Sequence, residues 1–232
     1  MPFSDVNERV AEIRGLIADA VGRGGHGQAV RIVAVTKTHG PDAVEAARRA
    51  GILDVGENKV QEALDKQDAI SGSQSWAADV RWHLIGHLQR NKVKFLERFV
   101  LLHALDSARL ALAVHGLGER RGRPVDALLQ VNVAGEETKG GFEASDVAME
   151  ADRLHALRGV RVTGVMTMAP FDANEGELRR VFAGARAARD VLINAGHPAH
   201  ELSMGMSGDY LPAVEEGATM VRLGTVLFGA RA

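Results

Sequence analysis

The chain has no cysteine, a single tyrosine and almost no net charge. Without cysteine there can be no disulfide, no thiolate metal ligand and no cysteine nucleophile. The net charge of −2 provides no overall basic surface of the kind that binds nucleic acid or an anionic membrane. Hydrophobic residues make up 46% and charged residues 25% of the chain, which excludes a disordered protein and indicates a globular one.

Long hydrophobic runs are also missing. No stretch of 18 or more apolar residues occurs, so we expect no transmembrane helix. No basic segment followed by an apolar one marks a signal peptide at the N-terminus. Instead, Asp5 and Glu8 form a D-x-x-E capping pattern ahead of an amphipathic helix. The apolar stripe of that helix consists of Val6, Val10, Ile13, Ile17 and Val21. The sequence therefore predicts a soluble, cytoplasmic protein that does not bind membranes.

The chain alternates short apolar runs with helical patterns. The apolar runs, such as Ile32–Val35, are nearly continuous, which is typical of parallel strands covered on both faces. The predicted strands are Val30–Val35, Ile52–Val55, Val80–Ile85, Phe99–Ala104, Asp126–Val133, Gly159–Met166, Glu201–Met204 and Met220–Leu223. The predicted helices lie at about 41–50, 58–70, 89–98, 107–119, 143–157, 174–194 and 209–217.

Eight strands with helices between them predict a closed (β/α)8 barrel of the TIM type, an α/β fold. An open, doubly wound sheet is the competing layout. No linker-like or low-complexity stretch divides the chain, so we expect one domain over residues 1–232. Because the exposed helix faces are well charged, we expect a monomer.

Lys37 ends the first predicted strand. In barrels of this type the reactive groups collect at the C-terminal ends of the strands. A lysine at the rim of a packed interior can lose its hydration, which favours the neutral, nucleophilic amine. Position alone also allows the alternative of an exposed lysine that reaches into water.

Two glycine-rich turns follow the last two predicted strands. They span Met204–Asp209 and Arg222–Thr225. Glycine lets backbone N–H groups approach an anion closely, and hydroxyl side chains add further donors. The loops after the seventh and eighth strands are a recurring phosphate site in these barrels. We therefore predict that Ser207 and Thr225 hold a phosphate group.

Closure of the barrel would bring these turns next to Lys37. The eighth strand would pair with the first at about 4.8 Å, so a ligand held by its phosphate could reach the lysine. Arg222 would then point at the ligand, where a fixed cation could bond to a ring nitrogen and keep it unprotonated. A salt bridge at the rim is the alternative role for Arg222.

With these residues assembled, the chain resembles the pyridoxal phosphate homeostasis protein family over nearly its whole length. The motifs that carry the resemblance are Ala34–Thr38, Gly56–Glu62, Trp82–Lys92, Gln130–Val133, Lys139–Phe142, Leu202–Ser207 and Val221–Thr225. The resemblance implies a barrel similar to the N-terminal domain of alanine racemase, with pyridoxal 5′-phosphate (PLP) as its cofactor.

The same resemblance implies a set of cofactor contacts. Lys37 would form a Schiff base with PLP, and Arg222 would face the pyridine nitrogen. The other expected contacts are Asn58 in the cofactor site, Met166 against the ring face, and Ser207, Gly224 and Thr225 at the phosphate. His83 would lie behind the cofactor pocket.

The spacing of His83 and His87 also suggests a pair of metal ligands. However, both flank a strand end, and no carboxylate or third histidine follows at ligand spacing. We therefore expect no metal.

Two functions remain open on these residues. An amino-acid racemase would need two bases on opposite faces of PLP, one of them the lysine. In barrel-type racemases the second base is a tyrosine from a C-terminal domain, which we do not expect here because the chain ends at Ala232. Nothing in the sequence places the single tyrosine, Tyr210, opposite Lys37.

We therefore predict a PLP-binding protein of intracellular PLP homeostasis rather than a racemase. It would buffer the cofactor or deliver it to PLP-dependent apoenzymes, without robust turnover and without catalytic residues. A Schiff-base aldolase acting on a sugar phosphate is a third possibility, which the whole-length resemblance disfavours.

Overall fold

The structure is a computed structural model that describes residues 3–72, 74–136 and 140–229. Lys139 of the fifth motif lies outside the described residues, as do both ends of the expected domain. Within the described ranges, nine strands form one parallel sheet. They are β1 (Arg31–Val35), β2 (Asp54–Glu57), β3 (Arg81–Leu84), β4 (Leu101–Leu105), β5 (Val125–Asn132), β6 (Phe142–Glu143), β7 (Val160–Met166), β8 (Glu201–Ser203) and β9 (Met220–Leu223).

Eight of these strands close into a ring. The order runs from β1 through β2, β3 and β4 to β5, which continues through β7, β8 and β9 back to β1. This ring confirms the predicted (β/α)8 barrel and excludes the open sheet. The predicted strand ends differ from the observed ones by at most two residues, and Met220–Leu223 matches at both ends. The short β6, which pairs with the end of β5, was not predicted.

Helices surround the ring. They are α1 (Val6–Gly24), α2 (Pro41–Arg49), α3 (Val60–Ser71), α4 (Ala108–Arg121), α5 (Val147–His155), α6 (Glu175–Asn194), α7 (Tyr210–Glu215) and α8 (Thr225–Phe228), with 3₁₀ helices at Ser75–Asp79, Arg90–Arg98 and Ala144–Asp146. The helix predicted at 89–98 is thus a 3₁₀ helix. Its buried residues, Val93 and Leu96, are three apart, which suits the 3₁₀ repeat of three residues per turn.

The first helix covers the seam where the barrel closes. The Arg23 guanidinium bonds to Glu215 of α7 at 2.6 Å, and Arg9 donates to the Leu227 carbonyl of α8 at 3.0 Å. The capping pattern predicted at Asp5 is wrong in one respect. Asp5 precedes α1, but its side chain caps no backbone N–H and instead accepts a bond from Ser4.

Apolar side chains fill the layer between strands and helices, whereas the interior of the ring is partly polar. A small cluster inside the barrel consists of Val33, Leu101, Ala104, Leu128, Met166 and Met220. Buried beside it are several polar groups, among them His103, Ser203 and Arg222. Among the described residues, no helix is both long and apolar enough to cross a membrane.

Candidate functional site

The C-terminal ends of the strands open into a cavity of about 920 Å³. All but one of the residues predicted for the cofactor site line this cavity, namely Lys37, Asn58, Ser207, Arg222, Gly224 and Thr225. The predicted neighbourhood of Lys37 and Arg222 follows from the pairing of β1 with β9, in which Val33 lies opposite Arg222. The barrel therefore brings residues from four separate segments of the chain to one opening.

Met166 is the residue that the structure does not bring to the cavity. It is 1% exposed and packs inside the barrel with Leu128 and Met220. Met168, two residues further along, lines the cavity instead. Since alternate residues of an extended segment point to the same side, the Met166 side chain lies one step deeper along the same row. Met168 was not among the predicted cofactor contacts.

The turn that carries Lys37 is anchored on both sides of the lysine. The Thr36 hydroxyl donates to the Glu57 carboxylate at 2.5 Å, and the Thr38 N–H donates to the Glu62 carboxylate at 2.5 Å. Thr38 adopts φ 70°, which is uncommon for a β-branched residue. These bonds hold the backbone of the turn in a conformation that Thr38 would not favour by itself.

The carboxylates beneath the turn share one buried lysine. Lys66 Nζ donates to Glu57 at 2.6 Å, to Glu62 at 2.9 Å and to the Thr36 carbonyl at 2.7 Å. We call Thr36, Glu57, Glu62 and Lys66 the Lys66 cluster. Burial raises the pKa of Glu57, while its hydrogen bonds to Lys66 and Thr36 act in the opposite direction. Glu57 and Glu62 both belong to the Gly56–Glu62 motif, but this cluster was not predicted from the sequence.

Arg222 lies on the other side of Lys37, with a different kind of partner. Its Nη1 donates to the hydroxyl and the carbonyl of Ser203, both at 2.7 Å, and its Nη2 donates to the Thr167 carbonyl at 3.0 Å. All three acceptors are neutral, and no ion pair of Arg222 occurs among the described residues, which excludes the alternative of a rim salt bridge there. Burial lowers the pKa of Arg222 to about 10, so the guanidinium stays charged at neutral pH.

The two glycine-rich turns meet at the Ser207 hydroxyl. It accepts bonds from the backbone N–H groups of Gly224 at 3.2 Å and Val226 at 3.4 Å. Gly224 precedes α8 and has no side chain to cap it, so the Ser207 hydroxyl takes the N–H groups at this helix end. Gly224 with its backbone N–H, together with the hydroxyl residues Ser207 and Thr225, thus lines one edge of the cavity. Such a set of donors suits a phosphate group.

Glycine is required in the first of these turns. Gly205 adopts φ +90°, and a Cβ atom there would come within 2.7 Å of Ala213. Asp209 ends this turn and makes no side-chain cap to the helix that follows. Its carboxylate instead accepts the N–H of Met206, so it braces the turn that precedes α7.

His83 and His87 point in different directions. His83 is buried inside the barrel and bonds to Asp54 and His103, each at 2.9 Å. His87 is exposed, lines the cavity and bonds through Nδ1 to Asp106 at 2.6 Å. In the described part of the chain, no three potential metal ligands are grouped together. The His87–Asp106 pair was not predicted from the sequence.

Tyr210 does not line the cavity. It is the first residue of α7 and is buried, and burial raises the pKa of its hydroxyl. The opposite rim of the cavity includes Phe171, whose side chain is fully exposed. The titratable side chains around the opening are those of Lys37, His87, Asp106, Asp209 and Arg222.

Comparison with known proteins gives consistent matches. The family described as "Alanine racemase, N-terminal domain" matches residues 20–232. The chain is 39% identical over 229 residues to a pyridoxal phosphate homeostasis protein of Aquifex aeolicus, covering 97% of both chains. It is 33% identical over 234 residues to the protein of that name from Escherichia coli, covering 99% of this chain and 98% of the other.

Solved structures agree with these matches. The structure of PipY from Synechococcus elongatus with PLP bound has a TM-score of 0.83 and 35% identity, covering 97% of this chain and all of the other. A D-threo-3-hydroxyaspartate dehydratase from Delftia has a TM-score of 0.70 at 20% identity, with 98% of this chain and 59% of that chain covered. At that identity the second likeness concerns the fold alone.

Proposed function

The chain belongs to the pyridoxal phosphate homeostasis protein family, and from that membership we propose that it holds PLP on Lys37 and buffers or delivers it in the cell. One observation carries the proposal. A lysine, a buried guanidinium without a carboxylate partner among the described residues, and a phosphate-like donor set surround one cavity. The similarity to PipY, whose structure is described as having PLP bound, supports the same cofactor.

The residues present fit the phosphate, the aldehyde and the ring nitrogen of PLP. The phosphate would lie at the Ser207 hydroxyl, the Gly224 N–H and Thr225, which already share one edge of the cavity. The Lys37 amine would attach to the aldehyde carbon as a Schiff base, with loss of water. Asn58 would contribute its amide from the β2 side of the opening.

Arg222 would determine the protonation state of the pyridine nitrogen. A guanidinium has five N–H donors and no acceptor, so it can donate to the ring nitrogen but cannot take a proton from it. PLP acts in enzymes as an electron sink, and an unprotonated ring nitrogen weakens that property. Arg222 therefore suits a cofactor that is held rather than used, but arginine in this place does not by itself exclude catalysis, so the stronger argument is the second base.

The position of Tyr210 supports the same conclusion. A racemase needs a second base facing the lysine across the cofactor, and the buried Tyr210 does not line the cavity. We propose accordingly that the protein has no robust catalytic activity. It would act in the cytoplasm as a monomer, supplying PLP-dependent apoenzymes.

The test is the visible absorption spectrum of the purified protein supplied with PLP, before and after borohydride. We expect a Schiff-base band in the wild type and a stable borohydride adduct that peptide mapping places on Lys37. Lys37→Ala should abolish both. Lys59→Ala is the matched control, because Lys59 is exposed and does not line the cavity. A wild-type spectrum of unbound PLP alone would refute the proposal.

Amino-acid racemization is the second candidate, and one observation favours it. The His87–Asp106 pair lines the cavity and could act as a base. Turnover of alanine and other amino acids, measured with wild type and with His87→Ala, decides between the two. We expect no turnover in either. Turnover that disappears in His87→Ala would establish the racemase.

A further inference from the structure

A continuous chain of hydrogen bonds crosses the inside of the barrel and ends on Arg222. Asp54 bonds to His83 at 2.9 Å, and His83 bonds to His103 at 2.9 Å. His103 then bonds to the Ser203 hydroxyl at 2.8 Å, which accepts from Arg222 at 2.7 Å. We call Asp54, His83, His103 and Ser203 the barrel chain. The four residues come from four different strands, β2, β3, β4 and β8.

The barrel chain connects the two ends of the barrel. At its far end, Asp54 pairs with Arg81, whose Nε donates to Asp54 at 2.8 Å. Both residues line a second cavity of about 610 Å³, formed with α1 and with the residues flanking β1 and β2. At its near end, Arg222 lines the cavity that contains Lys37. All four members of the chain are buried.

The direction of each hydrogen bond can be worked out from the ends. Hydrogen bonds from Arg81 and His83 lower the pKa of Asp54, although burial opposes them, so Asp54 is an acceptor only. His83 must therefore donate through Nε2, and a neutral His83 accepts through Nδ1. His103 Nε2 donates to that atom, which leaves His103 Nδ1 to accept from Ser203.

The opposite direction would leave a donor without a partner. If the histidines donated toward Ser203, its hydroxyl oxygen would accept from both His103 and Arg222, and its proton would need a further acceptor that no described contact supplies. Burial, together with the positive charge of Arg222, holds the pKa of His103 well below its usual range. Two neutral imidazoles with every donor directed toward Asp54 satisfy all the members.

We propose that the barrel chain is a positioning network for Arg222, which fixes the guanidinium at the pyridine nitrogen of the cofactor. Its last member presents Ser203 Oγ as a fixed acceptor, since the serine proton is committed to His103. The guanidinium is thereby oriented by hydrogen-bond acceptors that carry no charge, while the Asp209 carboxylate, which lines the same cavity, acts on it electrostatically. This inference rests on the proposed cofactor. It adds His83, His103 and Ser203 as residues that act through Arg222.

The first test is nitrogen NMR of protein labelled with ¹⁵N-histidine. The ligands are PLP and pyridoxamine 5′-phosphate, which has the same ring and phosphate but cannot form a Schiff base. We expect His83 and His103 to be protonated on Nε2 alone, and the His103 signals to move with either ligand. His197 is the matched control, because it is buried and donates to the Ala151 carbonyl, away from the barrel chain.

Each outcome separates this inference from the proposed function. A proton on His103 Nδ1, or unchanged His103 signals while PLP is trapped on Lys37, overturns the positioning network and leaves the proposed function intact. Movement of His103 with pyridoxamine 5′-phosphate, without any Lys37 adduct from PLP, supports the network and refutes the lysine attachment. Protein that responds to neither ligand overturns both.

A substitution gives an independent measure. Ser203→Ala removes the hydroxyl acceptor and should weaken binding of pyridoxamine 5′-phosphate about ten-fold, the usual effect of one hydrogen bond to a charged group. Leu128→Met is the control, since it conserves volume in the same barrel interior and its strand partner, Gly164, is not a member of the barrel chain. Equal affinities in Ser203→Ala and Leu128→Met would contradict the proposal. The NMR experiment uses the wild-type protein and decides the question even if Ser203→Ala fails to fold.

Discussion

Two buried cations flank the turn that carries Lys37, and they have opposite surroundings. Lys66 donates to two carboxylates, those of Glu57 and Glu62. Arg222 donates to two backbone carbonyls and a serine hydroxyl. The charge of Lys66 is therefore neutralised within the protein, whereas the charge of Arg222 is not neutralised by any carboxylate in contact with it among the described residues.

This difference separates a structural charge from one available to a ligand. Burial of a charge is costly unless it is paired, and natural proteins tolerate such a cost mainly at functional sites. Lys66 stabilises the backbone around Lys37, and Arg222 is held ready for an acceptor that the protein itself does not supply. Substitutions at the two positions should therefore affect different properties.

The largest effect is expected for Lys66→Met. It would leave Glu57 buried without its cation, which should lower the free energy of unfolding by about 3–5 kcal/mol. Because the raised pKa of Glu57 would rise further, this loss should be smallest in acid, where the carboxyl is neutral, and should grow as the pH increases. Urea unfolding at several pH values measures it. The control Lys59→Met, at an exposed position, should change stability by at most about 0.5 kcal/mol.

Arg222→Leu should affect stability less and ligand binding more. It leaves neutral acceptors unsatisfied, which costs about 1–3 kcal/mol, but it strands no opposite charge. Retention of pyridoxamine 5′-phosphate should be strongly reduced. Parallel urea unfolding and ligand titration check both expectations. A loss of stability as large as that of Lys66→Met, with ligand affinity unchanged, would show that Arg222 is a structural charge rather than one available to a ligand.

The burial of the barrel chain should also appear in the pH dependence of stability. The folded-state pKa of His103 is lowered, so below its ordinary value the unfolded chain binds a proton that the folded chain does not. Stability should therefore fall as the pH decreases from about 6.5, by up to about 1.4 kcal/mol per pH unit from this residue. His103→Gln should reduce that slope in unfolding curves taken between pH 5 and 7. Equal slopes in both proteins would show that His103 is protonated in the fold.

The smallest effect is expected at Thr38. Its φ of 70° costs about 1–2 kcal/mol for a residue with a Cβ atom, whereas glycine adopts it freely but loses about 0.5–1 kcal/mol in chain entropy. Thr38→Gly should therefore stabilise the protein by about 0.5 kcal/mol or leave it unchanged. Thermal unfolding measures this. Destabilisation by more than 1 kcal/mol would mean that contacts of the Thr38 side chain, rather than the bond of its N–H to Glu62, hold the turn.

The fold was predictable because its strands are continuous apolar runs. Runs such as Ile32–Val35 indicated parallel, doubly covered strands, and eight of them implied a ring. Closure of this ring places Lys37 next to the turn that contains Arg222. The pattern at 89–98 misled because an apolar spacing of three residues fits a 3₁₀ helix as well as an α-helix.

The contacts of the site were less predictable than its location. Asp54, His83, His103 and Ser203 are far apart in the chain, and each alone looks like an isolated polar residue within an apolar strand. The depth of Met166 relative to Met168 depends on where the strand ends, which the sequence leaves uncertain by a residue or two. Local sequence patterns thus indicate which strand ends form the cavity. The side-chain contacts across the barrel can be identified only once the closed barrel is known.

The helix α1 has a consequence for how the protein folds. Its partners α7 and α8 lie near the other end of the sequence, and Arg23 and Glu215 are separated by 192 residues. The pairing of β1 with β9 likewise joins two segments that are far apart in the sequence. Contacts between distant residues form slowly because a long loop must close first. The donor set around Ser207 and Gly224 should therefore assemble in the last, slow phase of folding. During synthesis on the ribosome, the cavity would stay incomplete until β9 and α8 had emerged.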